Sequence, residues 1–239
     1  MRRALVTGAS SPIGAAIATR LAADGVAVIL HAHRGGERTT ALAGELRRAG
    51  HAATVAAFDL TDADATASAV AGLLAEGPVQ ILVHNAGTHD DVPMAGMSRE
   101  RWRHVIDVSL NGFFNVTQPL LLPMLATRWG RIVAMSSLSA IMGNRGQVNY
   151  AAAKAGLNGA VRALSLECAG RGVTVNGVAP GIIESPAVDA VLSREKIAAL
   201  VPMRRAGRPE EVAELVGFLA SDRAAYISGQ IISINGGLA

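Results

Sequence analysis

The chain has 239 residues, half of them hydrophobic, with 17% charged and 3% aromatic residues and a formal charge of +3. That apolar share excludes a disordered chain, the scarcity of aromatics argues against a base-stacking platform, and the scattered basic residues suit a phosphate-bearing ligand as well as a nucleic acid. Cys168 stands alone and allows no intrachain disulfide, and no apolar run reaches the ~20 residues that span a bilayer, so one α/β domain over 1–239 in the reducing cytoplasm is expected.

An aliphatic run over 3–7 stops at Gly8, and helical apolar spacing follows at Ile13, Ile17 and Leu21, giving a strand, a turn and a helix. The turn, Thr-Gly-Ala-Ser-Ser-Pro-Ile-Gly over 7–14, has glycines that let backbone amides approach a pyrophosphate at the positive end of the helix. Two glycines in such a turn are a weak signal alone. Residues 26–31 read as a strand buried on both faces, followed by His33 and Arg34. No carboxylate stands where an unphosphorylated ribose would need one. The guanidinium instead favours a 2′-phosphate and so NADP(H), unless Arg34 is merely a solvated loop residue.

A polar-faced helix over 39–49 and a strand over 54–58 lead to Asp59-Leu60-Thr61-Asp62, a turn that supplies a helix N-cap. A helix over 64–76 precedes a strand over 80–84 that ends in Asn85-Ala86-Gly87. A long helix over 102–125 is expected to break near Pro119 and Pro123, and a strand over 131–136 runs into Ser137. Next come a helix over 150–169, a strand over 173–178 and the turn Ala179-Pro180-Gly181. Pro186, Pro202 and Gly207 then divide the chain into short pieces with the character of a small substrate lid, about 184–208. A helix over 209–220 and a seventh strand over 231–234 close the chain. This alternation predicts a doubly wound, seven-stranded parallel sheet of Rossmann type with helices on both faces. Ligands of such sheets bind at the carboxyl ends of the strands, which puts Gly8, Asn85 and Ser137 around one crevice.

The stretch over 137–154 holds a serine, a tyrosine and a lysine, with Tyr150 and Lys154 one helical turn apart on one face. A free phenol is a poor acid and a poor base at neutral pH, and an adjacent ammonium lowers its pKa toward the working range. Ser137 can then hydrogen-bond a carbonyl oxygen at the same point. Taken alone, Tyr-x-x-x-Lys is also what a solvated helix face looks like, and the decision lies with the rest of the chain.

Thr-Gly-x-x-x-Pro-Ile-Gly at the start, Asp-Leu-Thr-Asp at 59, His-Asn-Ala-Gly at 84, Ser137, Tyr150-x-x-x-Lys154 and Pro180-Gly181 together resemble the short-chain dehydrogenase/reductase family over essentially the whole chain. The segments Gly-Asn-Arg-Gly-Gln-Val-Asn-Tyr-Ala-Ala-Ala-Lys and Ala-Ser-Asp-Arg-Ala-Ala-Tyr-Ile-Ser-Gly-Gln are similar to its beta-ketoacyl-acyl carrier protein reductase branch. The resemblance implies NADPH-dependent reduction of a beta-ketoacyl thioester. Tyr150 would protonate the carbonyl oxygen, Lys154 would lower the phenol pKa and bind the nicotinamide ribose, and Ser137 would orient the carbonyl. Gly8, Ser10, Ile13 and Gly14 would line the pyrophosphate turn, Asp59 and Leu60 would contact adenine, and Asn85, Ala86 and Gly87 would lie under the adenosine ribose. Pro180, Gly181 and Ile183 would hold the nicotinamide. The branch further implies a homotetramer and docking of an acyl carrier protein through Arg128 and Arg171, which otherwise read as ordinary helix-end arginines. No metal ligand set, nucleic-acid partner or membrane partner is expected.

Two positions depart from the family pattern. Pro12 replaces the middle glycine of the turn, so a shifted turn that still binds cofactor is expected. Ser109 occupies the place of a fourth catalytic residue, an asparagine whose backbone carbonyl helps hold a water behind the lysine. Asn111 lies on the far side of the helix and cannot stand in. If a carbonyl is all that is needed, Ser109 supplies it. The competing readings are a reductase or dehydrogenase of a free ketone, sugar or polyketide intermediate, and a cofactor-binding regulatory protein without turnover.

Overall fold

Among the described residues, seven short aliphatic runs become the strands β1 (Arg3–Val6), β2 (Ala27–Ala32), β3 (Ala53–Ala57), β4 (Ile81–His84), β5 (Gly130–Met135), β6 (Val173–Pro180) and β7 (Ile231–Ile234). They form one sheet in the order β3-β2-β1-β4-β5-β6-β7, with every neighbouring pair parallel. This computed structural model describes residues 1–33 and 36–239, so Arg34 lies outside the described residues.

Parallel neighbours need crossovers, and helices supply them. They are α1 (Pro12–Ala23), α2 (Glu37–Arg48), α3 (Ala63–Ala75), α4 (Arg99–Ile106), α5 (Gly112–Ala126), α6 (Ser139–Met142), α7 (Val148–Cys168), α8 (Pro186–Asp189), α9 (Arg194–Leu200) and α10 (Pro209–Leu219). One face of the sheet packs on Ile17 and Leu21 of α1, Leu46 of α2 and Val212 and Val216 of α10. The other face packs on Val70 of α3, Phe113, Val116 and Leu120 of α5 and Leu157 and Val161 of α7. The doubly wound, Rossmann-type architecture expected from the alternation is therefore the observed one. The strand order reverses between β1 and β4, which opens a crevice where Gly8 and Asn85 follow those two strand ends.

Helix starts follow local chemistry. Pro12 sits in the first turn of α1, where a missing N–H costs little, and the Ser11 side chain caps the helix by accepting from the Gly14 amide at 3.1 Å. Gly8 is left-handed at φ +63°, and Gly14 has no room for a side chain. A Cβ on Gly14 would touch the Gly8 carbonyl and come within 2.7 Å of Asn85 Nδ2 and 2.9 Å of Ala9 Cα. Gly14→Ala is therefore expected to cost about 1–3 kcal/mol of stability through overpacking, a drop in melting temperature that calorimetry would register.

The long helix differs from expectation. It begins at Arg99 after the N-cap Ser98, and its irregularity lies at Asp107–Asn111 rather than at the prolines, which sit inside α5. Residues Asp107–Asn111 form a π-helical turn in which the Gly112 amide reaches back to the Asp107 carbonyl. Each interior proline costs about 3 kcal/mol. Phe113, Val116, Leu120 and Met124 are all buried against the sheet, and at roughly 1.5–3 kcal/mol apiece they offset that cost.

The segment after β6 leaves the sheet and returns. Ile183 bridges Gly207 at its neck, and α8 and α9 within it gather a small apolar cluster of their own from Ile197, Val201 and Ala206. No helix among the described residues is long and apolar enough to cross a membrane.

Candidate active site

β5 runs out at Met135, and the Ser136 amide and the Leu138 amide bond the carbonyls of Val178 and Pro180 at 2.7 and 2.9 Å. This zipper fixes Ser137 at the carboxyl end of the sheet. Its hydroxyl accepts from the Ser139 amide at 3.1 Å and is hydrogen-bonded to the Tyr150 phenol. Tyr150 stands in the first turn of α7, which Asn149 anchors by donating to the Asp90 carbonyl at 3.2 Å. One turn on, buried Lys154 donates from Nζ to the Met135 carbonyl at 2.8 Å, and Nζ lies 5.7 Å from the Tyr150 ring centroid. The serine, tyrosine and lysine converge as the spacing predicts.

The electrostatics depart from expectation on one point. The phenol pKa is raised, chiefly by burial, with a smaller contribution from the Asp91 carboxylate and an opposing one from the Ser137 hydrogen bond. The spacing predicts that Lys154 lowers it, but the ammonium lies 5.7 Å from the ring centroid and donates to the Met135 carbonyl, and desolvation prevails. Burial lowers the Lys154 pKa to about 8. At neutral pH the pair is thus a protonated phenol beside a charged ammonium that releases its proton readily.

Gly8, Ser10, His33, Asp59, Leu60, Asn85, Ala86 and Gly87 line one cleft of about 490 Å³ over the β1/β4 crevice. Ile13 and Gly14 lie off it: Ile13 packs against the core and Gly14 lies beneath the turn, against Gly8 and Asn85. Asn85 Nδ2 donates to the carbonyls of Thr7 and Gly8 at 3.0 and 2.9 Å and to Ser11 Oγ at 3.1 Å, so its side chain braces the turn. Asp59 accepts from the Thr61 amide at 2.9 Å, and His33 Nδ1 lies 3.4 Å from its carboxylate. Ile183 lines a second cleft of about 400 Å³ with Met203 and Arg205, while Gly181 packs directly on Asn235 and Pro180 ends β6.

Ser109 is fully buried in the π-helical turn, and its carbonyl lies 3.2 Å from His84 Nε2. Asn111 points elsewhere, donating to the Asp107 carboxylate at 2.7 Å. Arg128 and Arg171 stand just before β5 and β6, at the opposite end of the strands from Ser137. Cys168 is buried in α7, and burial pushes its thiol up to about 11, which makes it inert.

Several neighbours of the site gave no sequence signal. His89 meets the Tyr150 ring edge-on with centroids 6.3 Å apart and lies 3.2 Å from the Asp91 carboxylate. Asp91 in turn accepts from Gln147, and Gln147 from Ser139, both at 2.8 Å. These residues come from a loop and two helix starts, and only folding brings them to the mouth of the site. The two buried histidines at the carboxyl ends of β2 and β4, His31 one residue before the end and His84 at it, stand in apolar strands, and that is their sequence signal.

Comparison with known proteins adds to this geometry. The family described as enoyl-(acyl carrier protein) reductase matches residues 8–239. A 3-oxoacyl-[acyl-carrier-protein] reductase of Aggregatibacter actinomycetemcomitans is 42% identical over 236 residues, 98% of each chain. Nodulation protein G of Azospirillum brasilense is 42% identical over 238 residues, covering 98% of this chain and 97% of its own. An acetoacetyl-CoA reductase of Rhizobium meliloti is 43% identical over 240 residues, 99% of this chain and 98% of its own.

Proposed function

The chain belongs to the short-chain dehydrogenase/reductase family, and on that footing we propose that it reduces the β-carbonyl of a β-ketoacyl thioester to the β-hydroxyacyl thioester with NADPH, a step suited to fatty acid biosynthesis. Family membership implies a nicotinamide cofactor, and the residues fit one: the 490 Å³ cleft opens at the N-terminus of α1 and leads toward Lys154 past Gly87. His33, with Arg34 beside it in sequence, would hold the 2′-phosphate; Ser10, Asp59, Leu60 and Asn85 to Gly87 would hold the adenosine half. Pro180, Gly181 and Ile183, with Tyr150 and Lys154, would hold the other half. Bound reduced nicotinamide supplies the hydride. Ser137 orients the substrate carbonyl, and Tyr150, protonated at neutral pH, delivers the proton to its oxygen. The single observation that carries this reading is the convergence of Ser137, Tyr150 and Lys154 at the strand ends beside that cleft.

We read residues 184–208 as the lid of a one-domain enzyme, closed at its neck by the Ile183–Gly207 bridge. Large apolar side chains exposed on α5 and α7, among them Phe114, Leu122 and Leu166, favour a homotetramer. Arg128 and Arg171 would dock an acidic acyl carrier protein. The six residues of β5 put about 20 Å between them and Ser137 of the same chain, a span that the carrier's thioester arm would have to cover. Arg128→Ala with Arg171→Ala is expected to raise KM for a carrier-bound substrate about tenfold, or about 1.4 kcal/mol, and to leave small thioesters unaffected.

NADPH oxidation tests the function. Acetoacetyl thioester should be turned over, NADH should serve poorly, and a crotonyl thioester, whose reducible bond is C=C, should be inert. Turnover of crotonyl but not acetoacetyl thioester would sink the proposal.

A further inference from the structure

His84, at the end of β4, belongs neither to the proton donor nor to the lining of the cleft. It is fully buried, edge-on to Phe113 with centroids 5.5 Å apart, with Nε2 3.2 Å from the Ser109 carbonyl and Nδ1 3.4 Å from Thr7 Oγ1. A carbonyl only accepts, so Nε2 carries the proton. At the other end the Thr7 hydroxyl already accepts from the amides of Asn85 at 3.0 Å and Ala86 at 2.9 Å. Both its lone pairs are taken, so it can only give its own proton, to Nδ1 or to the Val83 carbonyl 3.5 Å away, and Nδ1 has no acceptor there for a proton of its own. The ring is therefore the neutral Nε2–H tautomer, set by acceptors and donors that three different segments provide. Burial and the nearby Lys154 charge work the same way, holding the His84 pKa down at about 3.

The other end of this clamp is Ser109. Its hydroxyl is fully buried and has no hydrogen-bond partner among the described residues. It reaches the bare face of Gly87, where an added Cβ would lie 3.4 Å from Ser109 Oγ and 2.9 Å from Lys154 Nζ. An orphaned hydroxyl is a cost that an alanine would remove. Here it and the buried Lys154 ammonium, which has no carboxylate partner among the described residues, approach the same face of Gly87 without a hydrogen bond between them. Among the described residues, the titratable groups near Lys154 include Tyr150 on its own helix and His84 on β4, while Asp107 of the π turn is hydrogen-bonded to Asn111.

Resting on the reading of Lys154 as part of the reacting centre, we propose that His84 is a positioning residue: its Nε2–H grips the Ser109 carbonyl and so keeps the Ser109 hydroxyl at the Gly87 face, where its oxygen favours the charged form of Lys154. The π-helical turn is the backbone geometry that this grip holds in place. His84 touches no reacting atom and acts through Ser109.

The chain has two lysines, buried Lys154 and exposed Lys196, so a lysine-labelled sample gives two side-chain NMR signals to titrate. Ser109→Ala and His84→Leu are each expected to move the Lys154 midpoint down by about half a pH unit or more, and the double variant no further than either alone. His84→Gln, whose amide reaches the Nε2 position, should restore the midpoint; His84→Asn, one bond shorter, should not. Imidazole ¹⁵N spectra should show His84 as the Nε2–H tautomer. An unmoved midpoint, additive shifts in the double variant, or an Nδ1–H tautomer would overturn the proposal. If His84→Leu does not fold, the Gln and Asn variants with Ser109→Ala decide it. None of these readings requires turnover, so failure of the reductase assignment would be seen separately, in the NADPH assay. Where turnover is measured, His84→Asn should lower kcat with little change in KM, and His84→Gln should recover it.

Discussion

Tyr150→Phe is expected to lower turnover of an acetoacetyl thioester by about 10²–10⁴-fold, the usual contribution of a positioned general acid, while NADPH still binds. The substitution removes one oxygen and keeps the ring that packs edge-on against His89. Folding should therefore be unaffected. The lost group is the phenol hydrogen-bonded to Ser137, and burial together with the Asp91 field keeps it protonated at neutral pH. That state suits delivery of a proton to an oxygen that becomes negative as the carbonyl is reduced. An interaction made only in the transition state lowers kcat and kcat/KM together and leaves KM nearly unchanged. Turnover within tenfold of the wild type would assign the proton to another group.

Lys154→Met should abolish the same activity and yet make the chain more stable. Lys154 is buried with its pKa lowered to about 8 from 10.5, and the cause is desolvation with no carboxylate to compensate it. A folded-state pKa below the unfolded one means that the unfolded chain binds more protons between the two values. Below pH 8 both states carry the ammonium and the folded state bears its full cost, about 3 kcal/mol from the 2.5-unit difference. Stability therefore rises with pH from about 8 to 10.5, and above that window this cost is gone. Methionine has a similar length and no charge, so the variant should melt several degrees higher at pH 7 and should lack this component of the alkaline rise. The difference between the two proteins' melting curves across pH isolates the effect. A variant that melts lower at pH 7 would mean that the Met135 hydrogen bond outweighs the desolvation. A variant that melts higher makes Lys154 an example of stability given up for function.

Much of the fold was legible because its signals are local. Strands buried on both faces read as continuous aliphatic runs, and the bounds at 26–31 and 80–84 fell within a residue of β2 and β4 because composition marks a run while hydrogen bonding sets its ends. Pro12 at a helix start was readable for the same reason. The long helix runs through its prolines because proline is a local penalty, whereas the burial that outweighs it in α5 is tertiary. The π-helical turn at Asp107–Asn111 coincides with a carbonyl engaged by a histidine 25 residues away, which no window along the chain reveals.

The amino-acid sequence by itself determined the strand and helix alternation, the crevice at the strand ends, and Ser137, Tyr150 and Lys154 as the groups that meet there, since each depends on periodicity, turn chemistry or a spacing of one helical turn. Tertiary structure alone decided the charges and the partners. Burial, which is a property of the packed chain, raises the Tyr150 pKa against the pull expected from Lys154 and lowers that of Lys154 itself. Likewise the roles of His84, Thr7 and Ser109 rest on which donor meets which acceptor across β1, β4 and the long helix, and a hydrogen bond between distant segments has no period in the chain from which to read it.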